Sequence, residues 1–162
     1  GECGLDFRPR QADRTLQLEF FEAQLSIAKE YQLPVVIHSV KATETVIQIL
    51  KKYKNLSGMI HSYSGSLEQA KQLVDLNFYI SIGGNVTYQH ANKIKEVAAS
   101  IPLTSLLVET DAPDQPDFLH HDKRNEPAFL IDTVAAIAAL RESNSEEISR
   151  QTTINAKHLF KL

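Results

Sequence analysis

Short apolar runs ending in polar residues alternate along this chain with longer segments of helical period, and no tight hairpin turn joins any two runs. The runs are LPVVIHS (33–39), SGMIHSY (57–63), FYISIGG (78–84) and SLLVETD (105–111), and GECGLDF (1–7) reads as the end of another strand. They are short, rich in β-branched residues and bounded by Gly, Pro or Ser, the pattern of strands covered on both faces. Between them, Leu16, Phe20, Ala23, Ile27 and Tyr31 recur at spacings of four and three within 12–32, which places them on one face of a helix. A second helix over 43–53 repeats this with Val46, Leu50 and Tyr53. Ser66 with Gln69 forms a capping box for a third, and Ile94, Val97 and Ile101 mark a fourth that Pro102 ends. Pro127 suits the first turn of a fifth helix, and Asn144 with Glu147 caps a sixth. Strand–helix alternation of this kind means parallel strands joined by crossover helices.

No linker, repeat or low-complexity stretch divides the 162 residues, so one domain spanning 1–162 is expected. A closed eight-stranded barrel takes roughly 250 residues, or 200 at least. Five β/α units are visible here. The expected fold is therefore α/β, of the TIM (β/α)8-barrel type, as a partial barrel of about five units lacking the first strands. The chain opens on Gly1 rather than methionine, in what reads as the end of a strand, and it is expected to be the C-terminal portion of something longer. An open five-stranded sheet would expose two edges and invite aggregation or pairing.

Composition removes several classes. With 43% hydrophobic and 23% charged residues, the chain has the makeup of a globular domain rather than a disordered one. No run approaches the roughly 18 apolar residues of a membrane span, and no signal-peptide pattern opens the chain, so no membrane partner and a cytoplasmic location are expected. The single cysteine, Cys3, forms no internal disulfide and has no CxxC neighbour. A net charge of -3 argues against a broad basic face for nucleic acid, although a local phosphate contact stays open.

The polar ends of the runs carry the chemistry. Glu2 reads as the end of the first strand, His38 closes PVVIH, His61 closes GMIH and Asp111 closes LLVETD. Parallel strands bring such residues to one rim, the carboxyl end where α/β folds bind ligands. A lone histidine after an apolar run is more often a hydrogen-bonded core or edge residue. Four candidate ligands at equivalent positions of four strands instead favour a divalent metal site, in which two His and one Glu leave a position open for water. Glu109 lies on the same side as Asp111 by strand alternation and reads as a support or a packing residue. His90, His120, His121 and His158 lie in loops or helices without a comparable partner. Tyr63 and Tyr88 follow strands, where loop packing is the plainer role and stacking on a base the alternative. Lys51, Lys52 and Lys54 complement a helix dipole.

GECGLDF, PVVIHS, MIHSYSG and VETDAP, in this order and at these distances, resemble the signature stretches of the TatD family of metal-dependent deoxyribonucleases, whose usual forms are GEIGLD, LPVxxHSR, HxFSG and ETDAP. KRNEP (123–127) is similar to a later family segment. The resemblance implies an amidohydrolase-type barrel with two divalent metal ions (Mg, Mn or Zn), DNA or another phosphodiester as substrate, and catalysis by Asp111 and Glu2. It implies that Glu2 bridges both ions, that His38 and His61 complete one site, and that Asp111 belongs to the other and orients the attacking water, with Glu109 as an outer support. Lys41, Tyr63, Arg124 and Asn125 join Glu109 as expected supporting or substrate-contacting residues. Three departures stand out. No His-x-His pair, which the family carries on its first strand, occurs in this chain; Val40 replaces the arginine of HSR, with Lys41 beside it; and Cys3 replaces an aliphatic residue. The chain alone is accordingly expected to show little nuclease activity. Two alternatives stay open: a related hydrolase of a small amide, lactone or phosphoester, and a non-catalytic binding fragment. A monomer is expected.

Overall fold

The computed structural model describes residues 2–162, and the expectation for Gly1 lies outside the described residues. The order is β1 (Cys3–Asp6), α1 (Arg14–Glu30), β2 (Val35–Val40), α2 (Thr43–Leu50), β3 (Gly58–Ile60), α3 (Leu67–Asp75), β4 (Phe78–Ile82), α4 (Asn92–Ser100), β5 (Leu106–Val108), α5 (Leu130–Leu140) and α6 (Ser145–Phe160). The five strands pair in parallel and in chain order, β1-β2-β3-β4-β5, the singly wound arrangement of a barrel wall. No helix among the described residues is long and apolar enough to cross a membrane.

Alternation along each strand sorts two faces. Leu5, Ile37, Ile60, Ile80 and Leu106 are buried on one, beneath Phe21 and Leu25 of α1, Ile47 of α2, Leu73 of α3 and Val97 of α4. The other face carries Val36, Met59, Tyr79 and Leu107, on which Ala156 and Leu159 from the end of α6 pack. Helix starts follow the expected chemistry: Ser66 and Gln69 form the capping box of α3, and the Asn144 side chain accepts from the Glu147 amide at 2.8 Å. Pro127 opens a short 3-10 turn, Pro127–Phe129, that leads into α5.

Helix α1 corrects one expectation. The stripe of Leu16, Phe20, Ala23, Ile27 and Tyr31 does not face the sheet: Phe20 is 61% and Tyr31 65% exposed, while Phe21, Leu25 and Ala28 are buried. The helix carries two apolar stripes, and Gln17 selects between them. Its side-chain amide accepts from the Asp6 N–H at 2.7 Å and donates to the Asp6 carbonyl at 2.9 Å, closing both free backbone groups of one residue on edge strand β1. Gln17, Phe21 and Ala28 share one helix face, so this pair of bonds fixes the rotation of α1. Replacing Gln17 by leucine is expected to cost roughly 1–3 kcal/mol, two hydrogen bonds at about 0.5–1.5 each. Chemical denaturation measures this, and a loss near zero would show that the apolar stripe alone sets the rotation.

Strand β1 also departs from expectation. It pairs only with the last four of the six residues of β2, from Cys3 opposite Ile37 to Asp6 opposite Val40. Glu2 therefore precedes its strand rather than closing it: Cys3 opposite Ile37 sets Glu2 level with Val36, and only its side chain reaches up to the His38 ring.

Candidate metal centre

Ile37 lies opposite Ile60, so the next residues, His38 on β2 and His61 just past β3, stand side by side on the open face. Their rings are tilted by 33° with centroids 5.4 Å apart, and His38 Nδ1 lies 3.1 Å from His61 Nε2. Glu2 reaches both, with one oxygen 2.8 Å from His61 Nε2 and the other 3.7 Å from His38 Nδ1. One ligand atom from each of the three lies within 4.8 Å of the others.

The nitrogens on the far side of each ring decide what this cluster is. His38 Nε2 is 3.4 Å from Asp6 Oδ2, and His61 Nδ1 is 3.3 Å from Glu109 Oε1. A carboxylate only accepts, so in the tautomer that leaves Glu2 and the two facing nitrogens as ligands, each of these outer nitrogens carries the hydrogen and donates. In neutral rings the remaining lone pairs, on His38 Nδ1 and His61 Nε2, then face one another beside an anionic carboxylate. Two lone pairs at 3.1 Å repel unless a cation or a proton lies between them, and carboxylate-backed imidazoles are the usual outer arrangement of a metal site. The donor set of two imidazoles and one carboxylate fits zinc, manganese or a related divalent ion.

Both supporting carboxylates are themselves held. Arg8 grips Asp6 through Nε at 3.0 and 2.9 Å and through its terminal nitrogen at 2.5 Å, and it pulls the carboxyl down to about 2. Glu109 accepts from the Ser62 amide at 2.5 Å and the Ser81 hydroxyl at 2.6 Å. The Glu109 hydrogen bond is the main cause that raises the His61 pKa above its ordinary value, with burial opposing it and the charges of Glu109, Glu2 and Asp111 adding to it. Replacing Glu109 by glutamine removes the anionic acceptor while keeping its shape. Metal affinity is expected to fall about 10- to 100-fold. Competition against a chromophoric chelator reads this directly, and an affinity within a factor of two of the parent would remove Glu109 from the site.

The structure separates the remaining candidates. Asp111 is not in the converging group; its backbone is left-handed at φ 53°, and its carboxylate takes a hydrogen bond from Gln115 while its charge still acts on His61. Gln115 also accepts from the Ser62 hydroxyl at 2.9 Å, which ties the loop after β5 to the one after β3. Asn125 is buried, and its amide donates to the carbonyls of Thr110, Asp114 (2.6 Å) and Gln115 (3.2 Å). It thus clips the loop that carries Asp111 and touches no open surface. Lys41 and Arg124 are exposed. Tyr63 corrects the substrate-contact expectation: it is 1% exposed and its hydroxyl donates to the Ser66 carbonyl at 2.7 Å, so it cannot stack on a base. Tyr88 packs edge-on against Phe118 and donates to the Pro116 carbonyl.

Asp6, Arg8 and Gln115 escape the motif reading. Alternation from Glu2 through Gly4 to Asp6 is a signal for the first of them; nothing in the sequence marks Gln115. His120 gains partners that the sequence does not reveal. It stacks on Phe129 with centroids 3.6 Å apart, with Asp117 at 2.8 Å and Asp132 at 3.7 Å from its Nδ1. Cys3 is half-buried in the strand, and burial pushes its thiol up to about 11.

Residues 1–161 match the family described as TatD related DNase. An uncharacterized metal-dependent hydrolase of Bacillus subtilis, YabD, is 42% identical over all of this chain and 64% of its own length. The uncharacterized metal-dependent hydrolase YjjV of Escherichia coli is 37% identical over 99% of the chain and 62% of its own length. The crystal structure of YjjV, a TatD homolog from Escherichia coli, superposes with a TM-score of 0.94 at 35% identity, covering 100% of this chain and 63% of that one. A TatD family hydrolase from Entamoeba histolytica shares the fold at a TM-score of 0.84 and 22% identity, over 99% of this chain and 62% of that one. The chain thus spans less than two thirds of the length of each of these relatives.

Proposed function

Because the chain belongs to the TatD related DNase family, we propose that it carries half of a divalent-metal centre for hydrolysis of phosphodiester bonds, with DNA as the substrate class. The observation that carries the reading is the pair of imidazole nitrogens facing each other at 3.1 Å, each ring backed by a carboxylate. Glu2, His38 and His61 would hold one ion, and Asp111 would serve a second one on the same rim. Such an ion supplies a Lewis acid that brings the pKa of water from about 16 toward 7 and neutralises phosphate charge. That local positive charge reconciles a nucleic-acid substrate with a chain of net charge -3.

The chain's own side chains have distinct tasks in this reading. Asp6 and Glu109 hold the imidazole tautomers; Asp111, outside the converging group, accepts a proton from the attacking water or orients it. Asn125 and Gln115 fix the loop that places Asp111. Lys41 and Arg124, exposed on the loops after β2 and β5, offer contacts to phosphate oxygens, though without the bidentate fork of an arginine where Val40 stands.

Metal loading followed by assays on single-stranded DNA, a nitrophenyl phosphodiester and a lactone tests this. About one tightly bound ion per chain is expected, with slow, EDTA-sensitive turnover confined to the phosphodiesters, because Asp111 has no second converging ligand among the described residues. Faster hydrolysis of the lactone, or a chain that retains no metal, would overturn the reading.

A further inference from the structure

At the amino ends of β3, β4 and β5, opposite the ligand group, the surface opens into a groove of about 750 Å3 between those strand ends and the last turn of α6. It continues into a second hollow of about 450 Å3 through Asn55, Leu56, Ser57 and Lys161, which line both. The strands between this end and the rim of His61 are up to five residues long, so the two regions are separated by roughly 15 Å at about 3.3 Å per residue.

Lys29, Lys54, Lys157, His158 and Lys161 line the joined groove, and no aspartate or glutamate does. Cations near helix carboxyl ends ordinarily just offset the helix dipole, and α1, α2, α3, α4 and α6 all end on this side. Each end carries roughly -0.5 of a charge, so five ends sum to about -2.5 against four lysines. The lysines exceed what the dipoles need by about 1.5 charges, in a chain whose net charge is -3. Their side chains are also free. Among the described residues, only Lys161 makes a hydrogen bond, a long one of 3.4 Å to the Gln32 carbonyl.

The neutral lining narrows the ligand. The side chains of Asn55, Asn77, Thr104 and Ser105 border the main groove with no hydrogen-bond partner among the described residues, and the half-buried ring of Tyr79 forms part of its wall. Cations, amide and hydroxyl donors and an aromatic face together match phosphate, ribose and base. A volume of about 750 Å3 lies within the roughly 300–1,000 Å3 of small-molecule sites and far exceeds what inorganic phosphate fills. We propose that this groove binds a nucleoside mono- or diphosphate, with Lys157 and Lys161 on the phosphates and Tyr79 beside the base. The inference is independent of the reading of the metal centre.

Calorimetric titration of the chain with ADP in EDTA tests it, since chelation silences phosphate binding through metal. Saturable binding of one ADP per chain is expected, and the Lys157→Ala/Lys161→Ala variant should weaken it at least about ten-fold. Adenosine alone and inorganic phosphate should each bind more weakly than ADP, and added salt should lower the affinity, as it does for exposed charges. Both lysines are exposed, so the variant should melt with the parent; should it not, Lys157→Gln alone provides the same comparison. A His38→Ala/His61→Ala variant should bind ADP unchanged. No saturable binding, equal affinity in the lysine variant, loss of binding in the histidine variant, or inorganic phosphate binding as tightly as ADP would each overturn the assignment.

Discussion

Alanine in place of His61 is expected to weaken zinc binding by the chain at least about a hundred-fold. Structural zinc sites gain about 10–16 kcal/mol from four ligands, so one ligand corresponds to roughly 3 kcal/mol, which is two decades of affinity. His61 holds the centre of the cluster: its Nε2 is the atom nearest Glu2, at 2.8 Å, and faces His38 Nδ1 at 3.1 Å. Removing it leaves Glu2 and one imidazole, a pair common on protein surfaces without an ion. The fold should survive, because Glu109 keeps the Ser62 amide and the Ser81 hydroxyl as partners. Replacing His121, exposed beside Asp122, serves as the control and should leave affinity unchanged. A His61→Ala chain that binds zinc within three-fold of the parent would dismantle the centre described above.

Alanine at Gly4 should be the most damaging single methyl group in the chain. A Cβ there would lie 2.0 Å from the His38 carbonyl oxygen and 2.7 Å from the His38 nitrogen, and the backbone φ of 147° is one that side-chain-bearing residues rarely adopt. Strain of this type costs about 1–3 kcal/mol, and overpacking against backbone adds a similar amount. The total of roughly 3 kcal/mol or more is a large part of a stability of about 5–15 kcal/mol. At about 2–4 °C per kcal/mol, the melting temperature should drop by roughly 6–12 °C. The collision also pushes β1 from β2, which carries Glu2 away from His38, so zinc affinity should fall together with stability. A variant that melts within 2 °C of the parent would show that β1 does not pack as closely as described.

The alternation of apolar runs was enough to read the parallel sheet, because strands covered on both faces and crossover helices leave few other topologies. The rotation of α1 was not legible. Both of its stripes are apolar, and the choice rests on the side-chain amide of Gln17 meeting the backbone of Asp6, a contact between residues 11 apart that no periodicity reports. His38 and His61 were legible as neighbours, since each follows one of the paired residues Ile37 and Ile60, whereas Glu2 precedes β1 and joins them by the reach of its side chain, which register does not report. Asp111 lies three residues past β5, where the backbone is left-handed and strand logic no longer applies. Tyr63 fails for the same reason: its position after a strand is readable, but its inward course, sealed by the Ser66 carbonyl, is not.

The facing imidazoles have one more consequence, for proton counting. The Glu109 hydrogen bond raises the His61 pKa above its ordinary value, which favours the protonated ring when no metal is present. A divalent ion takes the lone pair that this hydrogen occupies, so uptake becomes an exchange of charges instead of a simple addition. Filling the centre therefore acidifies a weakly buffered solution, and the heat of binding shifts with the ionisation enthalpy of whichever buffer accepts the proton.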